Sequence, residues 1–420
     1  MAADSTRRAI ETVFRIERPR LIASLARITR DVDQAEELAQ DALLAALADW
    51  PRGGVPRSPG AWLTAVAKRR AIDEIRRRRM LERKHGEIAR ELAEERDSFR
   101  AGTGASVGDD PGDELLGLIF AACHPAIPAD GRAALTLRIV GGLTTQEIAR
   151  AFLSRESTVA QRIVRAKRTI AEAGLRFEVP CDTERTKRLG AVLEVVYLIF
   201  NEGYAATAGE ALVRPVLCAE AQRLGRILAG LLPNEPEVLG LLALMELQAS
   251  RLAARTGPNG AFVPLTEQNR ARWDRLLIRR GMDALARAEL LGGADGPYAL
   301  QAALAACHAR ALKAEDIDWP RIAGLYDRLR EVAPSPVVDL NRAVACGMAF
   351  GPEAGLELVE EIAGDAVLRD YPPLQAVLGD LLFRAGRLSE ARPHFEAAAC
   401  LTRNAREASF LLERARACGA

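Results

Sequence analysis

Two stretches of this 420-residue chain carry side chains fit to grip nucleic acid. Between Lys68 and Lys84 nine Lys and Arg stand against Asp73, Glu74 and Glu82. Residues 143–168 read as a short capped helix, a turn and a basic second helix, the order of a helix-turn-helix that lays its second helix in the major groove. Thr144 and Glu147 have capping-box spacing, which starts a helix carrying Ile148, Ala149 and Phe152 inward. The second helix begins near Ser157, with Val159, Ile163 and Ala166 towards a core. At its start Arg155, Glu156, Ser157, Thr158, Gln161 and Arg162 are placed to reach base edges, and Arg165, Lys167 and Arg168 suit phosphates. Arg and Gln can make bidentate contacts to guanine and adenine edges, whereas Thr158 also fits a capping or packing role. Leu153 stands where such turns often carry glycine.

Catalytic constellations are weaker. Cys123-His124 and Cys307-His308 pair a thiol with an imidazole, but neighbours on a helix point in different directions and no second ligand cluster follows. Asn201-Glu202-Gly203-Tyr204 is polar within an apolar neighbourhood, and a helix end with Gly at its C-cap explains it. The seven cysteines are odd in number and never spaced C-x-x-C, so neither disulfides nor a zinc site is expected. No metal, cofactor or enzymatic activity is implied.

The elements that position these residues should all be helices. Hydrophobic residues make up 49% of the chain and aromatics 5%, with Ala, Leu, Arg and Glu abundant. A net charge of +1 alone argues against nucleic acid, yet residues 1–175 hold 29 Lys and Arg against 25 Asp and Glu, and the remainder is net acidic. No signal-peptide pattern and no apolar run of about 20 residues is present, so a soluble cytoplasmic protein without a membrane span is expected.

Asp31 and Gln34 form an N-cap pair for a helix to about Ala48, with Val32, Ala35, Leu38, Ala39, Ala42, Leu43 and Ala46 as the buried stripe. Asp33, Glu36, Glu37 and Asp41 make an acidic face on that helix. Trp50-Pro51 opens a Pro/Gly-rich loop, and Pro59 starts the next helix, which contains Trp62 and ends near Met80 after four arginines. Four parts follow: a helical bundle over 1–90, a flexible acidic linker over 91–112, a helix-turn-helix unit over 113–176 and a long helical region over 185–420. Glu178–Thr183, with Pro180, is the seam before the last. Near its end Leu378, Gly379, Leu382, Gly386, Ala391, Phe395 and Ala398 fall at the spacing of a tetratricopeptide unit, and 341–362 is a looser copy.

Taken together, AEELAQDALLAAL, Trp50 and AWLTAVAKRRAIDEIRRRR resemble the promoter-melting domain of extracytoplasmic-function sigma factors. Residues 143–170 are similar to that family's second, promoter-reading domain. The C-terminal extension resembles the tetratricopeptide-like tail of one subgroup, on AACHPAI (121–127), FNEGYAAT (200–207), LLALMELQASRLAAR (241–255), DW (318–319) and SPVVDLNRAVA (335–345). The resemblance implies an all-α fold and a factor that binds core RNA polymerase and promoter DNA to direct initiation. It implies that Lys68, Arg69, Arg70, Arg76 and Arg77 grip the downstream promoter element, and that Trp50 and Trp62, with the intervening loop, hold a flipped base. Arg69 stands where the family commonly has Asn. Residues 155–168 would read the upstream element. Asp33, Glu36, Glu37 and Asp41 would hold the polymerase clamp helices, and the acidic linker would run through the polymerase's cationic channel. The tail would regulate, through a protein or peptide ligand or by direct contact with the sigma domains. The alternative is a helix-turn-helix regulator with a tetratricopeptide-like interaction domain.

Overall fold

The computed structural model describes residues 2–90, 111–152, 154–205, 212–257 and 260–419. Most of the expected linker, and Leu153 of the helix-turn-helix turn, lie outside the described residues. Among those described, the regular elements are helices, and Thr256 and Phe262 form an isolated β-bridge. The chain divides into two compact units, one comprising residues 1–150 and 154–195, the other 151–153 and 196–420.

The first unit is built on α1 (Ala2–Thr29), which packs against α2 (Val32–Gly53), α3 (Pro59–Arg90), α4 (Pro111–Ala122) and α5 (Ala129–Ile139). Ile22, Ala23, Leu25 and Ala26 of α1 are fully enclosed. Arg30, in the left-handed region at φ 57°, turns the chain, and its N–H bonds to the Ala26 carbonyl at 2.8 Å. Asp31 then caps α2, its Oδ1 accepting from the N–H of Asp33 and Gln34 at 2.8 and 3.2 Å. Val32, Ala35, Leu38, Ala39, Ala42, Ala46 and Trp50 face the core of α2. The expected loop starts later than Trp50: α2 runs through Pro51 to Gly53, and Gly54 at φ 79° ends it by donating its N–H to the Trp50 carbonyl. α3 starts at Pro59 as expected but continues beyond Met80 to Arg90. Pro111 and Gly112, assigned to the linker by sequence, already belong to α4.

α6 (Thr145–Ala151) and α7 (Glu156–Glu172) form the helix-turn-helix. α8 (Asp182–Tyr204) follows, and its residues as far as Val195 group with the first unit, beyond the seam expected at 178–183. Three observations explain this: Arg188 donates to the Phe120 carbonyl at 3.0 Å, Arg132 pairs with Glu194 at 3.1 Å, and Gly117 lies so close to the Phe177 backbone that a Cβ would meet its carbonyl at 2.7 Å.

The second unit holds α9 (Pro215–Leu231), α10 (Pro236–Ala249), α11 (Arg275–Leu290), α12 (Pro297–Arg310), α13 (Trp319–Val332), α14 (Pro336–Phe350), α15 (Pro352–Ile362), α16 (Pro372–Arg384), α17 (Leu388–Leu401) and α18 (Ala405–Ala417). Many open on proline in the first turn, where the missing N–H costs no hydrogen bond. Successive helices pack as neighbours. The spaced residues near the C-terminus form the α16–α17 hairpin: Leu382, Ala391, Phe395 and Ala398 are buried, Gly386 turns the chain at φ 76°, and Phe395 lies over Gly379 where a Cβ would meet its ring at 2.8 Å. Gly203, expected as a C-cap, lies inside α8. Its missing side chain lets the start of α9 approach, since a Cβ there would lie 2.7 Å from the Cys218 nitrogen.

Candidate nucleic-acid interface

The helix-turn-helix assembles from local rules. Thr144 and Glu147 close the capping box reciprocally, the Glu147 N–H donating to Thr144 Oγ1 at 3.1 Å and the Thr144 N–H to Glu147 Oε2 at 2.7 Å. Ile148 and Ala149 are buried and Phe152 half-buried. α7 buries Val159, Ile163, Ala166 and Ile170 at three- and four-residue spacing. The same geometry turns Arg155, Glu156, Ser157, Thr158, Gln161, Arg165 and Arg168 to the surface. Ser157, Gln161, Val164 and Arg168 fall on one stripe of that surface. Val164, 64% exposed, was missed by the sequence reading, which searched for polar readers; an exposed methyl pair on such a stripe suits the thymine methyl group.

Not all the basic residues expected to touch DNA are free. Arg162 pairs with Asp130 at 2.7 Å, and Arg168 with Glu172 at 2.6 Å on the same helix. Lys167 turns away from the exposed stripe, with Nζ 2.5 Å from Asp33 Oδ1 and 2.6 Å from Glu36 Oε2. Glu36 also holds Arg18 at 2.5 Å and Arg138 at 3.3 Å, and Arg18 donates to the Arg138 carbonyl at 2.8 Å. One carboxylate, 12% exposed, thus gathers three cations from α1, α5 and α7. Burial works against the Lys167 ammonium, but Glu36 and Asp33 outweigh it and hold its pKa above the ordinary lysine value. Burial lowers the pKa of Arg18, with Glu36 opposing.

The four acids expected to form one face on α2 are therefore divided. Asp33 and Glu36 engage Lys167, Asp41 pairs with Arg70 of α3 at 3.2 Å, and Glu37 is exposed. Glu37 and Asp41 line a charged cleft of about 420 Å³ with Arg70, Asp73, Glu74 and Arg77. On α3, Leu63, Ala67 and Ala71 are buried, which leaves Lys68 half-buried and Arg69, Arg70, Arg76 and Arg77 exposed. Arg77 lies 3.6 Å from Glu74, while Lys68, Arg69 and Arg76 make no ion pair among the described residues. Trp50 does not line an open loop. It is 2% exposed and meets half-buried Trp62 edge-to-face, with centroids 5.3 Å apart. The ring of Trp62 thus packs beside the last turn of α2, which includes Pro51.

Among the described residues no cluster of His, Cys, Asp and Glu could hold a metal, and no helix is long and apolar enough to cross a membrane. Cys123 is buried and its thiol is pushed up to about 11, first by burial, so it is a packing residue rather than a nucleophile.

Residues 13–80 match Sigma-70 region 2, residues 118–170 match Sigma-70 region 4, and residues 188–289 match a family of unknown function, DUF6596. The two regions cover α1–α3 and α4–α7, the helices that carry the surfaces described above. Sigma-70 regions 2 and 4 in this order indicate an RNA polymerase sigma factor directing promoter recognition, a class of protein that is not enzymatic. An uncharacterized protein of Rhizobium meliloti (strain 1021) is 44% identical over 395 residues, spanning 94% of this chain and 92% of its own. The chain belongs to the same family as that protein. No solved structure matches.

Proposed function

We propose that the chain is a sigma factor of the extracytoplasmic-function group whose C-terminal region is a tetratricopeptide-like regulatory domain. The observation that carries the DNA-reading half is the exposed stripe Ser157–Gln161–Val164–Arg168 opposite a fully buried seam. On this reading Gln161 and Arg162 reach base edges of the upstream element, and Arg165 and Arg168 touch phosphate. Lys68, Arg69 and Arg76, together with Arg70 and Arg77, grip the downstream element. Trp50 and Trp62 supply its aromatic surface once the last turn of α2 opens.

Core polymerase docks on α2. Glu37 is exposed to a basic partner and Asp41 shares only a surface pair with Arg70, whereas Asp33 and Glu36 are engaged by Lys167. Polymerase docking on the whole stripe and phosphate contact by Lys167 therefore both compete with these ion pairs, so regions 2 and 4 separate when the factor engages. The α16–α17 hairpin, with Phe395 over Gly379, supports the tetratricopeptide-like reading of the tail.

Initiation assays over a set of single-base promoter variants test these assignments. Gln161→Ala should relax preference at one upstream position by about 1–3 kcal/mol, and Arg165→Ala should weaken all variants alike. Reversal of Glu37 and Asp41 to Lys should abolish polymerase binding in a folded protein. Uniform loss in both DNA variants, or normal polymerase binding by the reversed double variant, would refute the corresponding assignment.

A further inference from the structure

Several motifs of the C-terminal region have no part in promoter recognition, yet the second unit brings their residues to one place. Tyr204 comes from FNEGYAAT, Arg251 and Arg255 from LLALMELQASRLAAR, His308 from the second Cys-His pair, Trp319 from DW and Asn341 from SPVVDLNRAVA. The Arg251 and Arg255 guanidiniums lie 5.5 and 4.0 Å from the centroid of the Tyr204 ring. Arg270 stacks over Trp273 at 4.6 Å and donates through Nη1 to the carbonyls of His308 and Ala311 at 2.5 and 3.0 Å. The His308 ring meets Trp319 edge-to-face at 5.5 Å.

The charge in this place is one-sided. Among the described residues no carboxylate forms an ion pair with Arg251, Arg255 or Arg270. Among the described residues the Arg251 side chain hydrogen-bonds Gln248 and Tyr204, and Asp316 is the acid that Arg270 feels without pairing to it. Arg255 Nε, Arg270 Nη2 and His308 Nδ1 are enclosed and have no hydrogen-bond partner among the described residues. Burial, followed by the charges of Arg251 and Arg270, pushes the His308 imidazole down to about 3, so it is neutral and adds a further polar nitrogen rather than a charge. Enclosed guanidiniums without a counter-charge repel one another and forgo hydration, which a protein tolerates where an anion completes the site.

A cleft of about 370 Å³ has His308, Trp319, Tyr326, Asn341, Phe262 and Phe410 among its walls; Arg251, Arg255 and Arg270 do not line it, and the link to them is His308, whose ring feels Arg251 and Arg270 and whose carbonyl accepts from Arg270. Arg251 lies within electrostatic reach of both His308 and Tyr326. Two acids stand on the cleft's walls: Asp380 is neutralised by Arg384 at 2.6 Å and Arg414 at 2.9 Å, whereas Glu267 forms no ion pair among the described residues, so an anion must seat away from Glu267, at the His308 side. We propose that the C-terminal region binds a small organic anion, with its apolar or aromatic body in this cleft and its carboxylate or phosphate turned to Arg251, Arg255 and Arg270. The planar guanidinium fork recognises both head groups, and the aromatic walls favour a body that can stack.

The proposal deepens the regulatory reading of the tail, but its test needs neither polymerase nor DNA, so the two can fail separately. The full chain is titrated at constant ionic strength with phenylacetate, inorganic phosphate and the uncharged phenylacetamide, and tryptophan emission and melting temperature are followed. Saturable binding of phenylacetate or phosphate is expected, with phenylacetamide at least tenfold weaker; whichever anion binds tells carboxylate from phosphate. Arg255→Gln should weaken the anion at least tenfold, Arg255→Lys less so, and Trp319→Phe should remove much of the emission change in a protein that still melts cooperatively. Equal binding of acid and amide, no saturable response to either anion, or an anion response unchanged in both the Arg255→Gln and Trp319→Phe proteins would overturn it.

Discussion

Replacing Lys167 by alanine removes an α7 cation that ties region 4 to the acidic face of region 2. Its two ion pairs differ in worth. Asp33 is 73% exposed, so that contact contributes about 0.2–1 kcal/mol. The Glu36 contact is largely withdrawn from water, with side-chain exposures of 13% and 12%, where deleting one partner of a buried pair can cost about 3–5 kcal/mol. Glu36, however, keeps Arg18 and Arg138, so no orphaned charge remains and the upper range does not apply. A double-mutant cycle of Lys167→Ala and Glu36→Gln, read by urea unfolding and by hydrogen exchange in α7, should give a coupling of about 1–2 kcal/mol that shrinks as salt rises. Because the Lys167 pKa is raised in the folded state, the contribution should be complete below the ordinary lysine value and lost as pH rises through the elevated one. Additive single effects, with coupling below about 0.3 kcal/mol, would refute the argument that these pairs hold the two regions together.

Two further outcomes are expected. Gly355→Ala would place a Cβ 2.8 Å from the Ala343 carbonyl and 3.0 Å from Gly347 Cα, both backbone, so α14 and α15 must move apart; thermal melts should show a loss of about 1–3 kcal/mol, and an unchanged melt would contradict the close approach. His308, held neutral down to about 3, binds fewer protons folded than unfolded below its ordinary value near 6.5, so stability should fall with acidification by up to about 1.4 kcal/mol per pH unit from this site, and His308→Gln should flatten that slope between pH 6 and 4.

What was legible in the sequence was local. The Thr144–Glu147 box, the Asp31 cap and the α7 seam each depend on residues within a turn or two, and each formed where spacing put it. The hairpin of α16 and α17 was equally readable, because small residues (Gly379, Gly386, Ala391, Ala398) and larger ones (Leu382, Phe395) recur at the spacing of a helix pair. What joins distant residues was not. Glu36 and Lys167 are 131 positions apart, and nothing in either neighbourhood distinguishes a clamped lysine from a phosphate contact. Trp50 was read as the start of a loop because Pro51 follows it, yet α2 runs through both to Gly53 and Trp50 is packed against Trp62. The seam at Pro180 had the composition of a boundary, but Arg188 and Glu194 tie the start of α8 to the first unit. The arginines near Tyr204 sat on helices with no shared pattern, and only the packing of the second unit gathers them.

Promoter-directed transcription with core polymerase tests the central assignment most directly. The full-length chain, added to polymerase stripped of its own sigma factor, is expected to produce a run-off transcript from a defined start, dependent on both promoter elements. A protein that binds the same DNA and yields no specific transcript would instead be an operator-binding regulator, and the assignment of α1–α7 as an initiating pair of regions would be wrong.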